Sequence, residues 1–189
     1  MIKIEVSARH LHISQEHLKI LFGEEFELTH FKDLSQPDQF ATGETIRVAG
    51  SRGAISKVRI LGPVRPETQI EISMTDTYSL GIKPEIRMSG DIEASPGCVI
   101  WGPNGQVILE KGVIVAKRHM HCTPETAERL GLKDADEISI KIDSKRSGVM
   151  SGIVVRISDK YNDAIHIDTD EANAYDIKNG TLTRIINDK

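Results

Sequence analysis

At 189 residues the chain is long enough to bury a sizeable core, as one domain or as two small ones. A net charge of −4 and only 4% aromatic residues leave neither the field nor the stacking surface that a nucleic-acid partner requires. No apolar run is long enough to span a membrane, no secretory signal follows Met1, and two cysteines make no disulfide framework, so we expect a cytoplasmic protein without a membrane partner.

The chain opens with Ile2-Lys3-Ile4-Glu5-Val6-Ser7, a β-branched strand that runs into Arg9-His10-Leu11-His12. Ser14 is a helix N-cap candidate, and Leu18, Ile20 and Leu21 carry the apolar side of a short helix that ends at Gly23. The polar stretch 23–43 is expected as an irregular excursion. Short β-prone segments follow at 45–48, 58–60, 68–73, 99–101 and 107–109, separated by turns such as Gly62-Pro63 and Gly102-Pro103-Asn104-Gly105.

The opening pattern then recurs. Gly112-Val113-Ile114-Val115-Ala116-Lys117 leads into Arg118-His119-Met120-His121, followed by the helix start Thr123-Pro124-Glu125, by Ala127 and Leu130, and by Gly131. The repeated unit is strand, His-x-His, short helix. Further strands are expected at 137–142, 151–156, 164–167 and 181–186, with a third helix over about 170–176. Many short strands joined by tight turns predict a mainly β fold of small barrels rather than a parallel α/β sheet.

The chemistry follows from the two-residue period of a strand. His10 and His12 point to one side, as do His119 and His121, and paired neutral imidazoles are a common way to hold Zn²⁺. A single pair is an ordinary surface coincidence; two in matching contexts favour metal. In Gln69-Ile70-Glu71-Ile72-Ser73 the isoleucines face a core, which places Glu71 opposite them as a metal ligand, a group orienting a ligating histidine, or a solvent-facing residue. Arg65, braced by Pro66, is suited to bidentate binding of phosphate or carboxylate, although a lone loop arginine is usually solvated. His166 shares a face with Asp168, and Asp168 with Glu171 has capping-box spacing, so His166 is either a further ligand or a histidine held at a helix start. The loop Arg87-Met88-Ser89-Gly90-Asp91 offers backbone amides to an anion, or is a plain loop.

Together these segments resemble the PduL-type phosphate propanoyltransferases, phosphotransacylases unrelated to the larger phosphotransacetylases. The resemblance rests on Val6-Ser7-Ala8-Arg9-His10-Leu11-His12, Gly62-Pro63-Val64-Arg65-Pro66-Glu67-Thr68-Gln69, Ser89-Gly90-Asp91, Arg118-His119-Met120-His121, and the run from His166 to Ala174, in the family's order. It implies two small β-barrels that exchange chain segments, capped by short helices, one taking 1–8 plus 117–189 and the other 9–116. It implies two zinc ions per chain, one held by His10, His12 and Glu71 and the other by His119, His121 and His166. It further implies that Arg65 holds phosphate; Ser89, Lys117 and Arg118 are, apart from the resemblance, further candidates for phosphate or coenzyme A. Lys111, Lys145 and Arg146 join Lys117 and Arg118 as candidates for the coenzyme A nucleotide.

The implied reaction moves a short acyl group between coenzyme A and inorganic phosphate, as in propanediol degradation, by direct transfer in a homodimer or higher homo-oligomer. Met1 runs straight into the first strand, so we expect no N-terminal microcompartment-targeting extension. The same residues would also suit a zinc-dependent thioester or ester hydrolase, or a non-catalytic metal-binding module.

Overall fold

A computed structural model describes residues 1–186, and the chain divides into two compact units. One consists of Met1–Ala8 and the chain from Lys117 onward; the other is Arg9–Ala116. Residues 187–189, the end of the span expected for the first barrel, lie outside the described residues.

Strand β1 (Ile2–Ser7) belongs to the first unit. The second unit then takes β2 (His10–His12), α1 (Gln15–Phe22), β3 (His30–Asp33), β4 (Phe40–Ala49), β5 (Ala54–Gly62), β6 (Gln69–Glu71) and α2 (Met74–Leu80). It continues with β7 (Ile86–Arg87), β8 (Cys98–Trp101), β9 (Gln106–Leu109) and β10 (Val113–Ala116). The chain returns to the first unit for β11 (His119–Cys122), α3 (Pro124–Leu130), β12 (Glu137–Ile142), β13 (Gly148–Ile157), β14 (Ala164–Asp168), α4 (Thr169–Ala174) and β15 (Leu182–Ile186). The fold is mainly β with few, short helices, as expected.

The first unit is a closed six-stranded barrel in the order β1-β14-β11-β13-β12-β15. Alternate residues fill it: Ile2 and Ile4 from β1, Ile138, Ile140 and Ile142 from β12, and Ile165 and Ile167 from β14. Along β13 the inward residues are Met150, Ile153 and Val155, a step of three followed by a step of two. The extra residue is absorbed beside Gly152 at φ 71, where the β12–β13 register shifts. This is a β-bulge, which bends the strand and lets the barrel curve.

In the second unit the strands pair in the order β7-β10-β6-β2-β5-β4-β8-β9, with β3 added beside β4. This sheet is a half-barrel, in keeping with the small barrels expected. Its two ends are β9 and the two-residue β7, which has few backbone groups with which to pair further. Its core gathers Leu11, Ile60, Ile70, Ile100 and Val113 against Leu18 and Leu21 of α1.

Two elements depart from the sequence reading. Strand β3 lies inside the stretch expected to be irregular, although all four of its residues are exposed. Helix α2 was not anticipated; it starts where the 68–73 segment was read as continuous strand. Ser73 caps it, with reciprocal bonds between Ser73 and Asp76, and Gly81 closes it in the left-handed conformation at φ 69.

The two units use the same local pattern. In each, the His-x-His strand lies between an antiparallel neighbour and a parallel one: β6 and β5 beside β2, β14 and β13 beside β11. The antiparallel neighbour is in turn flanked by a parallel strand, β10 in one unit and β1 in the other, and is followed by a capped helix, α2 or α4.

The ribbon β8–β9 supplies a test of the packing. A Cβ added at Gly97 would overlap the backbone of Leu109 and Glu110, which cannot rotate aside. Gly97→Ala should therefore cost about 1–3 kcal/mol, the usual range for overpacking, read as a lowered urea midpoint. An unchanged midpoint would contradict the packing described for these strands.

Candidate metal centres

Each His-x-His strand is anchored by the residue between its histidines. Leu11 and Met120 are fully buried in their respective cores, which turns His10 and His12, and His119 and His121, to the other side of the sheet. The third member of each group arrives by strand pairing. Glu71 of β6 is the register partner of His10, and His166 of β14 is the register partner of His119. Ile70 and Ile72, like Ile165 and Ile167, go to the core, which fixes the side on which Glu71 and His166 stand.

The result is two groups of three, one in each unit. His10, His12 and Glu71 offer ligand atoms all within 4.8 Å of one another, as do His119, His121 and His166. His10 Nε2 lies 3.5 Å from Glu71 Oε2. Two ligands at about 2.0–2.1 Å from a tetrahedral Zn²⁺ stand about 3.3–3.4 Å apart, so that separation suits a shared ion. The imidazoles of the second group have ring centroids 4.8–5.1 Å apart.

Hydrogen bonding assigns the lone pairs. Nδ1 of His12 and Nδ1 of His121 are buried without a hydrogen-bond partner among the described residues. His119 Nδ1 is 2.9 Å from the Lys117 carbonyl oxygen; a carbonyl only accepts, so Nδ1 carries the proton and Nε2 keeps its lone pair. A buried polar atom without a partner costs about 1–3 kcal/mol, and two such nitrogens, one in each triad, are what a metal would satisfy. The donor set of imidazoles and one carboxylate is suited to Zn²⁺.

Burial and neighbouring charge keep His12 and His121 neutral. Burial, then the neighbouring His10 and the Arg65 guanidinium, lower the His12 pKa to about 3. Burial, then His166 and His119, lower that of His121 to about 2. Neutral imidazole is the ligating form. His121 also stacks on Tyr161, with centroids 4.0 Å apart, which holds its plane.

Residues around the triads have definite partners. Gln69 donates from Nε2 to Glu71 Oε1 at 2.7 Å and to Ser89 Oγ at 2.9 Å, and accepts from the Gly90 amide at 2.7 Å. The Ser89-Gly90 loop is thus drawn inward to orient Glu71. Gln69 was placed on the Glu71 face by alternation but given no role; the signal was its position two residues away on one strand. Arg65 is half-buried, and its backbone joins Ile13 and Ser14. Of the other cations considered for anions, Lys117 pairs with Glu137 at 2.8 Å, Arg118 with Glu171 at 2.7 Å, and Lys111 with Glu67 and Glu93. Arg87 is held by Glu85 and Asp91.

The family model for phosphate propanoyltransferase matches residues 3–178. The chain belongs to the phosphate propanoyltransferase family. It is 48% identical over 184 residues to a phosphate propanoyltransferase from Thermotoga maritima, covering 97% of this chain and 88% of that one. It is 49% identical over 182 residues to one from Sebaldella termitidis, covering 96% and 86%, and 44% identical over 185 residues to one from Clostridioides difficile, covering 98% and 88%.

In this member of the phosphate propanoyltransferase family neither cysteine is set up as a nucleophile. Both are free and buried, Cys98 in the core of the second unit and Cys122 in that of the first. Burial raises the thiol pKa of Cys98 to about 12; burial, then the Asp163 carboxylate, raises that of Cys122 to about 11. Because the thiolate is the reactive form, the folded protein should resist iodoacetamide at pH 8, and alkylation should become appreciable only well above that pH. Unfolding in urea should expose both thiols to rapid labelling. Rapid labelling of the folded chain at pH 8 would contradict the burial described.

Proposed function

We propose that this protein is a zinc-dependent phosphate acyltransferase, converting a short acyl-coenzyme A and inorganic phosphate into an acyl phosphate and coenzyme A by direct transfer. His10, His12 and Glu71 hold one Zn²⁺, and His119, His121 and His166 hold a second. When bound, the metal supplies Lewis acidity towards the thioester and affinity for its thiolate. The observation that carries the reading is that Arg65 is joined through its backbone to Ile13 and Ser14, directly after the ligand candidate His12, so a cation and a metal-type triad belong to one unit.

Arg65 binds phosphate through two parallel N–H bonds and offsets part of its charge. Phosphate is a weak nucleophile towards a thioester unless positioned, so this contribution is chiefly orientation. A phosphate oxygen then forms its bond to the acyl carbon, the carbon–sulfur bond breaks, and the sulfur leaves with the electron pair as coenzyme A thiolate. Gln69 keeps Glu71 aligned through the step by its 2.7 Å bond. No side-chain nucleophile intervenes, which the buried, protonated thiols of Cys98 and Cys122 support. Two unpaired cysteines also suit a reducing cytoplasm. A homodimer or higher homo-oligomer belongs to the same reading and rests on the family resemblance alone.

The test is thiol release from acetyl-, propanoyl- and butanoyl-coenzyme A, with and without phosphate, on protein assayed for zinc. Release is expected only with phosphate. Equal release without phosphate would instead make the protein a hydrolase, and no release would leave a binding module. Arg65→Ala should keep both zinc equivalents and raise the Michaelis constant for phosphate about ten- to a hundredfold, the range expected for losing a charged hydrogen bond worth ~1.5–3 kcal/mol. His166→Ala should lose one zinc equivalent and activity together; full activity in that variant would overturn the two-zinc assignment.

A further inference from the structure

The two triads share a support that lies outside the ligand sets. Arg9 stands one residue before His10, and Arg118 one residue before His119. Asp76 stands five residues after Glu71, and Glu171 five residues after His166. Arg9 Nε contacts Asp76 Oδ2 at 2.8 Å, and Arg118 Nε contacts Glu171 Oε1 at 2.7 Å. An arginine–carboxylate pair thus recurs at the same sequence offsets from both triads.

Each acid also belongs to a helix start. Asp76 Oδ2 accepts the Ser73 amide at 3.2 Å, while Ser73 Oγ accepts the Asp76 amide at 3.3 Å. Glu171 Oε2 accepts the Asp168 amide at 3.1 Å, while Asp168 Oδ1 accepts the Glu171 amide at 2.8 Å. The carboxylate is therefore not a freely swinging surface group. It is fixed to the backbone that follows the third ligand, and the arginine is fixed to the backbone that precedes the first.

We propose that Arg9 with Asp76, and Arg118 with Glu171, are positioning pairs that hold the strand carrying each His-x-His in register with the strand carrying its third ligand, and so set metal affinity one site at a time. This rests on the zinc reading above. The ladder the pair would brace is short: β2 and β6 are three residues each, paired over His10–Glu71, Leu11–Ile70 and His12–Gln69. The β11–β14 ladder is equally short, from His119–His166 to His121–Ala164. The arginine ends are 43% and 34% exposed, whereas the carboxylates of Asp76 and Glu171 are 6% and 20% exposed and keep their helix-cap bonds when the arginine is replaced. The effect of the pairs is expected on ligand geometry, where a partner beyond the ligands typically changes metal affinity about 10–100-fold.

The experiment is competition for Zn²⁺ between a chromophoric chelator and the full chain, giving two successive affinities. His121→Ala and His12→Ala backgrounds assign each affinity to its triad. Arg9→Gln, which leaves the Ser73–Asp76 cap in place, should weaken only the His10–His12–Glu71 site, by ten- to a hundredfold. Arg118→Gln should do the same only to the other site. Arg9→Lys and Arg118→Lys, which keep a cation opposite the carboxylate, should recover most of the loss. The thermal midpoint of the zinc-free protein should move little in all four variants. Unchanged affinities in the glutamine variants, or equal losses at both sites, would overturn the proposal while leaving the two-zinc reading standing. A wild-type chain that takes up no zinc would overturn both.

Discussion

The structure depends on one constraint of the β-strand: successive side chains must go to opposite faces. Leu11 and Met120 are committed to hydrophobic cores, and that commitment leaves the histidines on either side of each no choice but to share the other face. Burying one large apolar side chain contributes roughly 1.5–3 kcal/mol, more than the ~1 kcal/mol typical of a hydrogen bond, so the core rather than the imidazoles sets the orientation. The cost falls on His12 and His121, each with a buried Nδ1 that has no hydrogen-bond partner among the described residues and a pKa lowered by burial. A metal bound at each triad would offset that cost.

The same logic operates twice with one substitution. His10 is paired across the sheet with a glutamate, and His119 with a histidine. A site with a carboxylate ligand carries one more negative charge than an all-imidazole site, so two otherwise similar centres differ in how strongly they polarise what they bind. The second unit also carries Arg65, whose positive charge helps to lower the His12 pKa. The asymmetry between the centres thus comes from two residues on a common backbone pattern.

Much of this was legible in the sequence because it is written in local periodicities. The strands at 137–142 and 164–167, the hydroxyl caps at Ser14 and Thr123, and the acid pair Asp168 with Glu171 all follow from near neighbours. Glu71 and His166 were placed on the correct face by their flanking isoleucines, but nothing in the sequence alone could bring them opposite His10 and His119, since that depends on pairing between distant strands. Helix α2 was missed because Ile70 and Ile72 extend a strand rhythm up to Ser73, masking the cap that Ser73 and Asp76 form. Strand β7 was not read from the sequence, because its two residues carry no periodic signal. Lys117 and Arg118 read as available cations, and only the fold brings Glu137 and Glu171 to them.

The central claim is that each triad holds its own zinc ion, and anomalous diffraction from crystals of the zinc-loaded protein, recorded on either side of the zinc absorption edge, tests it most directly. The account predicts two edge-dependent peaks. One should be bonded to His10, His12 and Glu71 and the other to His119, His121 and His166, each at about 2.0–2.2 Å from its nitrogen and oxygen ligands. Peaks placed elsewhere, or a single peak leaving one triad without metal in fully loaded protein, would contradict it.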